Sequence, residues 1–251
     1  PDLSARASAL VFCAQMCGVI PVEQLGRPLR PAIIWADLRS AAQVTQAQAE
    51  IGGRLLVWCG NPIATGFMLT SWAWLRQHEP QTAAAARTLL LPKDYVRLHL
   101  TGELASEPSD ASSTLLFDVF RREWSDPLLD WAGLRRDQLP PLLSSAEVAG
   151  RLRPQAAAAC GLPAGTPVIC GASDQAAQAV GQGVIAPGTA SVTIGTGGQV
   201  FAPLLRPEAD PQLRLHLFCH ALPDRWHLEV AMLSAGLALR WFRDRFAPGS
   251  S

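Results

Sequence analysis

An aspartate placed between an apolar run and an alanine-rich stretch, with a glycine turn further along, constrains this chain more than any other feature. In Val168-Ile-Cys-Gly-Ala-Ser-Asp-Gln-Ala-Ala-Gln-Ala-Val180 the carboxylate of Asp174 stands where a strand ends and a helix starts. A second β-rich run, Ser191-Val-Thr-Ile194, then leads into Gly195-Thr-Gly-Gly198. Phosphoryl transfer to a hydroxyl asks for such parts: a carboxylate to orient or deprotonate the nucleophile, and backbone amides with Mg²⁺ to hold the transferring charge. Taken singly, the residues leave plainer readings open. Ser-Asp before a helix is an ordinary N-cap, and Gly-Thr-Gly-Gly is a common hairpin turn, although such a turn can also bind phosphate through its N–H groups.

The chain's 251 residues, 49% of them hydrophobic, suffice for one large domain or two small ones with a sizeable core. Twenty-one basic and twenty-one acidic side chains cancel, lysines are very few and no basic block occurs, so no nucleic-acid partner is expected. No apolar stretch reaches the roughly 18 residues that span a bilayer, and Pro1-Asp-Leu-Ser-Ala-Arg lacks a signal-peptide pattern. A soluble cytoplasmic protein without a membrane partner is the expectation. The cysteines at 13, 17, 59, 160, 170 and 219 form no zinc-ligand spacing and are expected as buried free thiols.

Along the chain, Ala9-Leu-Val-Phe-Cys and Pro31-Ala-Ile-Ile-Trp-Ala-Asp37 have strand length, with a turn at Gly26-Arg-Pro between them. Helices are expected over 40–51, 68–79 and 81–87. Leu89-Leu-Leu-Pro-Lys-Asp-Tyr then reads as an apolar run, a proline break and a helix closed by Gly102. The stretch 103–165 reads as a helical and irregular insert, with short helices near 109–115, 126–132, 135–139 and 154–160. Strands resume at 166–171, 189–203 and 213–219, and a helix is expected over 230–246. The glycines and proline of Gly181-Gln-Gly-Val-Ile-Ala-Pro-Gly188 mark a candidate hinge.

Several short strings share one resemblance. Gly60-Asn-Pro, Thr65-Gly-Phe67, Leu91-Pro-Lys-Asp-Tyr95, Leu100-Thr-Gly-Glu103, Ser109-Asp-Ala111, Gly171-Ala-Ser-Asp-Gln175, Gly195-Thr-Gly197 and Phe218-Cys-His-Ala-Leu-Pro223 resemble, in family order, the carbohydrate kinases of the FGGY family, nearest its xylulokinase branch. The resemblance implies an α/β, actin-like and ribonuclease-H-like ATPase fold of two domains around a cleft. It implies ATP and Mg²⁺ as cofactors, and phosphorylation of a ketopentose, D-xylulose first among them. Asp174 then resembles the catalytic base, and Gly195, Thr196, Gly197 and Gly198 the loop that holds the ATP phosphates. Met16 and Cys17, in Gln15-Met-Cys-Gly18, stand where the branch usually has Gln-Met-His-Gly touching the sugar. Trp35 resembles the tryptophan packed on the polyol chain, although an apolar-strand tryptophan is also an ordinary core residue. Gln175 resembles a sugar-binding residue.

The same resemblance divides the chain into a sugar-binding domain over 1–184 and the start of an ATP-binding domain over 185–251. It implies that the family's first hairpin, with its Asp-x-Gly-Thr phosphate motif, and its later adenine-binding segment fall outside these residues, so that the fold is incomplete at both ends. Cys17 in place of histidine removes a strong donor at the sugar, which leaves ribulose, glycerol or another polyol open as substrate, as well as a non-catalytic polyol- or partner-binding role. A homodimer is also left open. Asp37 with Arg39, Lys93 with Asp94, and His78 and His220 read as structural pairs, helix-end or core residues.

Overall fold

The structure, a computed structural model, describes residues 7–247. A parallel pair, Cys13–Ala14 beside Ala172–Ser173, lies at its centre and is prolonged by a parallel bridge between Leu10 and Val168. Val148–Arg151 adds antiparallel to Pro167–Ile169. Gly171 permits the close approach of the central pair. Its φ is +83°, and a Cβ there would lie 2.0 Å from the carbonyl oxygen of Phe12, so a side chain would part the two strands. The chain then enters the helix Asp174–Gln182, which ends on left-handed Gly183.

A second sheet runs in the order His216–Cys219, Trp226–Met232, Gly198–Leu204, Ser191–Ile194, all antiparallel. Side-chain bonds tie it to the rest. Gln178 Nε2 donates to Thr193 Oγ1 at 2.9 Å, and Ser191 Oγ donates to Gln182 Oε1 at 2.8 Å, fixing the Asp174 helix against the edge strand. Buried Asn61 acts as a false strand rung: its amide donates to Leu217 O at 2.8 Å and its Oδ1 accepts from Leu217 N at 2.9 Å.

The main core lies under the helices Ala41–Ile51 and Met68–His78, close to their expected bounds. On the second of these Met68, Leu69, Trp72 and Leu75 are buried, each contributing about 1.5–3 kcal/mol of transfer free energy. Pro80–Ala85 follows, then the strand Thr88–Leu90 and the helix Pro92–Thr101, closed by Gly102 at φ +84°. His78 ends its helix stacked on Trp74 at 4.8 Å, and Arg39 pairs with Asp37 at 2.8 Å.

Four expectations need correction. Residues 31–37 are not a strand: Ile33 alone bridges to Val19, because Pro31 lacks an N–H and the chain turns at Trp35. The stretch 103–165 has its expected short helices, Pro108–Ala111 continued through Ser112–Thr114, Asp126–Ala132, Arg136–Gln138 and Pro154–Cys160, but it is not without sheet. It pairs Phe117–Asp118 with Glu123–Trp124 and supplies the strand Val148–Arg151, while Leu115, Leu116, Phe117 and Leu128 lie in the main core. The expected helix at 230 is strand as far as Met232, since seven residues pair with Gly198–Leu204; the helix is Gly236–Phe246. All six cysteines are free, but Cys13 and Cys160 are exposed.

Behind the central pair lies a buried ionic cluster. Lys93, the one lysine of the sequence, is 3.0 Å from Asp94 and 3.7 Å from both Glu107 and Asp110. Burial alone would push its pKa down; the three carboxylates outweigh it and hold the ammonium above its ordinary value. Arg97 donates to Asp94 at 2.7 Å, to the carbonyl of Cys170 at 2.8 Å and to that of Ala105. Removing the ammonium leaves buried carboxylates uncompensated. Lys93→Ala is therefore expected to cost about 3–5 kcal/mol; a denaturant titration whose midpoint does not move would contradict the role given to this lysine.

Candidate active site

One cavity, of about 620 Å³, collects Asp174, Gln175, Met16, Cys17, Trp35 and all four residues of the glycine turn, Gly195, Thr196, Gly197 and Gly198. Segments far apart in sequence meet there for steric reasons. After Cys13–Ala14 the chain bends through Cys17 at φ +62° and Gly18 at φ +82°. A Cβ on Gly18 would stand 2.7 Å from Ile33 O, and one on Gly66 would stand 2.1 Å from Trp35 O. Gly18 N donates to Gly66 O at 3.0 Å. The two glycines thus draw residues 15–18, 33–35 and 64–67 into one wall.

Cys17 is 8% exposed, and its N–H donates to Ser113 Oγ at 3.0 Å. Burial pushes its thiol well above the ordinary range, so it meets the cavity as a neutral, weak donor. Trp35 is 41% exposed at the cavity edge, so it is not a core residue and its ring is free to stack. Gln175 follows Asp174, and its backbone N–H donates to Asp174 Oδ1 at 2.8 Å.

Asp174 is the first residue of its helix, presented by the strand Ala172–Ser173. Burial raises its carboxyl above the ordinary range and the charge of Glu229 adds to this, against the bonds from Gln175. A half-buried carboxylate of raised basicity accepts a proton more readily than a surface one.

The glycine turn closes the hairpin between Ser191–Ile194 and Gly198–Leu204. Its carbonyls receive the start of the last helix: Ala235 N donates to Thr196 O at 2.8 Å and Gly236 N to Gly195 O at 3.0 Å. A Cβ on Gly195 would have nothing within 4 Å, so the turn is open to a ligand there, although the N–H of Gly195 is given to Gly197 O and the first N–H groups of the 11-residue helix to the turn's own carbonyls. The open backbone at Gly195 leaves room for an ATP phosphate chain. Among the described residues no cluster of three or more His, Cys, Asp or Glu is able to hold a metal ion. Mg²⁺ carried here with a nucleotide would meet phosphate oxygens and the two carboxylates that line the cavity, Asp174 and Glu229.

The cavity also contains Phe67 and Phe218, from motifs to which sequence reasoning gave no site role, and His216 and Glu229, which it did not single out. His216 stacks between Phe67 and Phe218, each with ring centroids 5.3 Å away, and burial lowers its pKa to about 4, which leaves a neutral imidazole. The motifs Thr65-Gly-Phe67 and Phe218-Cys-His flank this wall; its polar residues come from register alone. His220 is buried, with Nδ1 accepting from Leu222 N at 3.1 Å, in keeping with a structural role.

Two titrations are expected. By side-chain carboxyl NMR, Asp174 should titrate above the ordinary value of about 3.9, and Glu229→Gln, which removes a neighbouring negative charge, should move that midpoint down. An Asp174 midpoint at or below the ordinary value, or one indifferent to Glu229, would contradict this electrostatic picture.

Among the described residues no helix is long and apolar enough to cross a membrane. Residues 4–181 match the N-terminal domain of the FGGY family of carbohydrate kinases. The chain is similar to the xylulose kinase of Escherichia coli K12, at 42% identity over 233 residues, 93% of this chain and 48% of that protein. It is also 36% identical to the xylulose kinase of Bacillus subtilis over 240 residues, 96% of this chain and 48% of that one. The crystal structure of a xyloylose kinase from Brucella ovis superposes with a TM-score of 0.90 at 38% identity, over 96% of this chain and 49% of the other. The chain thus spans about half the length of the curated relatives it matches, and its mixed α/β architecture is that of the actin-like sugar kinases. By the extent of these matches, the chain belongs to the FGGY family of carbohydrate kinases.

Proposed function

We propose that these residues supply the sugar pocket and the general base of an ATP-dependent kinase that phosphorylates the terminal hydroxyl of a ketopentose, D-xylulose, to D-xylulose 5-phosphate. One observation carries the reading: a carboxylate of raised basicity shares a cavity with a glycine-rich turn that is open at Gly195. The names of the relatives, xylulose kinases in three of the matches above, support the pentulose as substrate.

In this reading Trp35 lies along the carbon chain of the sugar, while Met16, Cys17 and Gln175 surround its hydroxyls. Asp174 accepts the proton of the terminal hydroxyl as that oxygen attacks phosphorus, and Gly195 to Gly198 hold the phosphate chain in line. MgATP, when bound, supplies the phosphoryl group and the cation that offsets its charge. Most of the acceleration comes from this positioning, with about 10²- to 10⁴-fold from the base. The site would be completed by closure between a sugar-binding domain over 1–184 and an ATP-binding one from 185, with the glycine-rich stretch 181–188 as hinge.

A relative with another substrate in its name, the autoinducer-2 kinase of Yersinia enterocolitica at 33% identity over 245 residues, favours a second reading in which the polyol differs. Competition among D-xylulose, ribulose and glycerol for the one cavity separates the two. Asp174→Asn in the full-length polypeptide keeps the shape and loses the proton acceptor. It should lower kcat by at least about 100-fold with sugar affinity nearly unchanged. Turnover at the parent rate in this variant would remove Asp174 as the base.

A further inference from the structure

The second sheet brings to the cavity a polar pair, His216 and Glu229, whose only part so far is the charge of Glu229 on Asp174. His216 and Glu229 face each other across neighbouring antiparallel strands, in direct register, so their side chains leave the sheet on one face about 4.5–5.5 Å apart at Cβ. Both line the cavity. Glu229 is 5% exposed, and its Oε2 has no hydrogen-bond partner; Nδ1 of His216 is buried and equally without one. The neighbour nearest to Glu229 is His227, whose Nε2 lies 3.4 Å from Oε2 without hydrogen-bond geometry; burial lowers that imidazole's pKa against the pull of Glu229. A buried carboxylate and a buried ring nitrogen without partners, side by side in an open cavity, await polar hydrogens from a ligand.

Their place along the sheet says which part of a ligand they meet. Gly198 of the phosphate turn pairs with Met232, whereas Phe201 pairs with Glu229. Three steps separate these rungs, roughly 10 Å at about 3.3 Å per residue. A phosphate held at the turn is therefore out of reach of the pair. Phe67 and Phe218, which sandwich His216, supply apolar surface for the C–H faces of a carbon chain beside it.

We propose that Glu229 and His216 form a specificity-determining clamp for a polyol, taking hydroxyls on carbons remote from the one that is phosphorylated. The two oxygens of Glu229 accept from neighbouring hydroxyls, and the unpartnered nitrogen of neutral His216 accepts or donates according to its tautomer. In this site Cys17 is only a weak donor, and the clamp provides the strong polar contacts from the second sheet. The inference rests on the reading of the cavity as a sugar site, and adds which residues select the sugar.

The test is calorimetric binding of D-xylulose and its singly deoxygenated analogues to the full-length polypeptide without nucleotide. Glu229→Gln and His216→Phe, the latter keeping the ring stack, are compared with the parent after near-UV circular dichroism confirms the fold. Each variant should raise the Kd for D-xylulose about tenfold. One analogue, lacking the contacted hydroxyl, should bind parent and variant alike, a result that a merely structural role does not produce, and MgATP affinity should be unchanged. Folded variants that bind D-xylulose as the parent does would overturn the clamp and leave the kinase reading standing. Failure of the parent to bind any pentulose would overturn both, and turnover by Asp174→Asn would remove the base alone.

Discussion

Everything at the cleft leans on one buried ammonium. Lys93 sits among Asp94, Glu107 and Asp110, and the segment bearing Glu107 and Asp110 reaches both Ser173 and Cys17. Glu107 caps the helix Pro108–Ala111 through Ser109 N and Asp110 N. It also accepts from Ser109 Oγ at 2.8 Å, and that same hydroxyl accepts from Ser173 N, next to Asp174, at 3.0 Å. In the bend after the neighbouring strand, Cys17 N donates to Ser113 Oγ, which donates to Asp110 O at 2.7 Å. Arg97 holds the carbonyl of Cys170 before the Gly171 turn. The strand that delivers Asp174 and the turn at Cys17 are thus fastened to one cluster, whose cost is desolvation: burial pushes Asp110 well above the carboxylate range, against the pull of Lys93.

From that anchor the cleft follows by close approach. Gly18, Gly66 and Gly171 each stand where a Cβ would strike a backbone carbonyl, so three loops and two strands come nearer together than side chains would allow. Asn61 joins the second sheet to the first part of the chain with two bonds to the backbone of Leu217, and His216 and Glu229 of that sheet line the same cavity as Asp174. The raised basicity of Asp174 is a product of the assembly. It comes from burial, and from a charge on a strand distant in sequence.

Much of this was legible in the sequence because the signals are local. The proline before and glycine after the helix Pro92–Thr101, the apolar spacing of Met68–His78 and the strand-to-helix step at Asp174 each report on a few neighbouring residues. Where reading failed, a distant partner decided. Ala231 and Leu233 have spacing suited to a helix, yet the ladder to Gly198–Leu204 keeps the chain extended through Met232. Short pieces such as Val148–Arg151 carry too little alternation to declare a strand, and exist because Pro167–Ile169 lies beside them.

The sequence by itself determined the family motifs, the order of most elements, the candidate base and the glycine turn, since composition, spacing and turn chemistry are properties of neighbouring residues. Tertiary structure alone decided that nine scattered residues share one cavity, that the single lysine is buried as a charge anchor, and that a histidine and a glutamate without other partners face that cavity. The physical reason is that register, burial and electrostatic coupling depend on which segments lie side by side, and no local pattern contains that information.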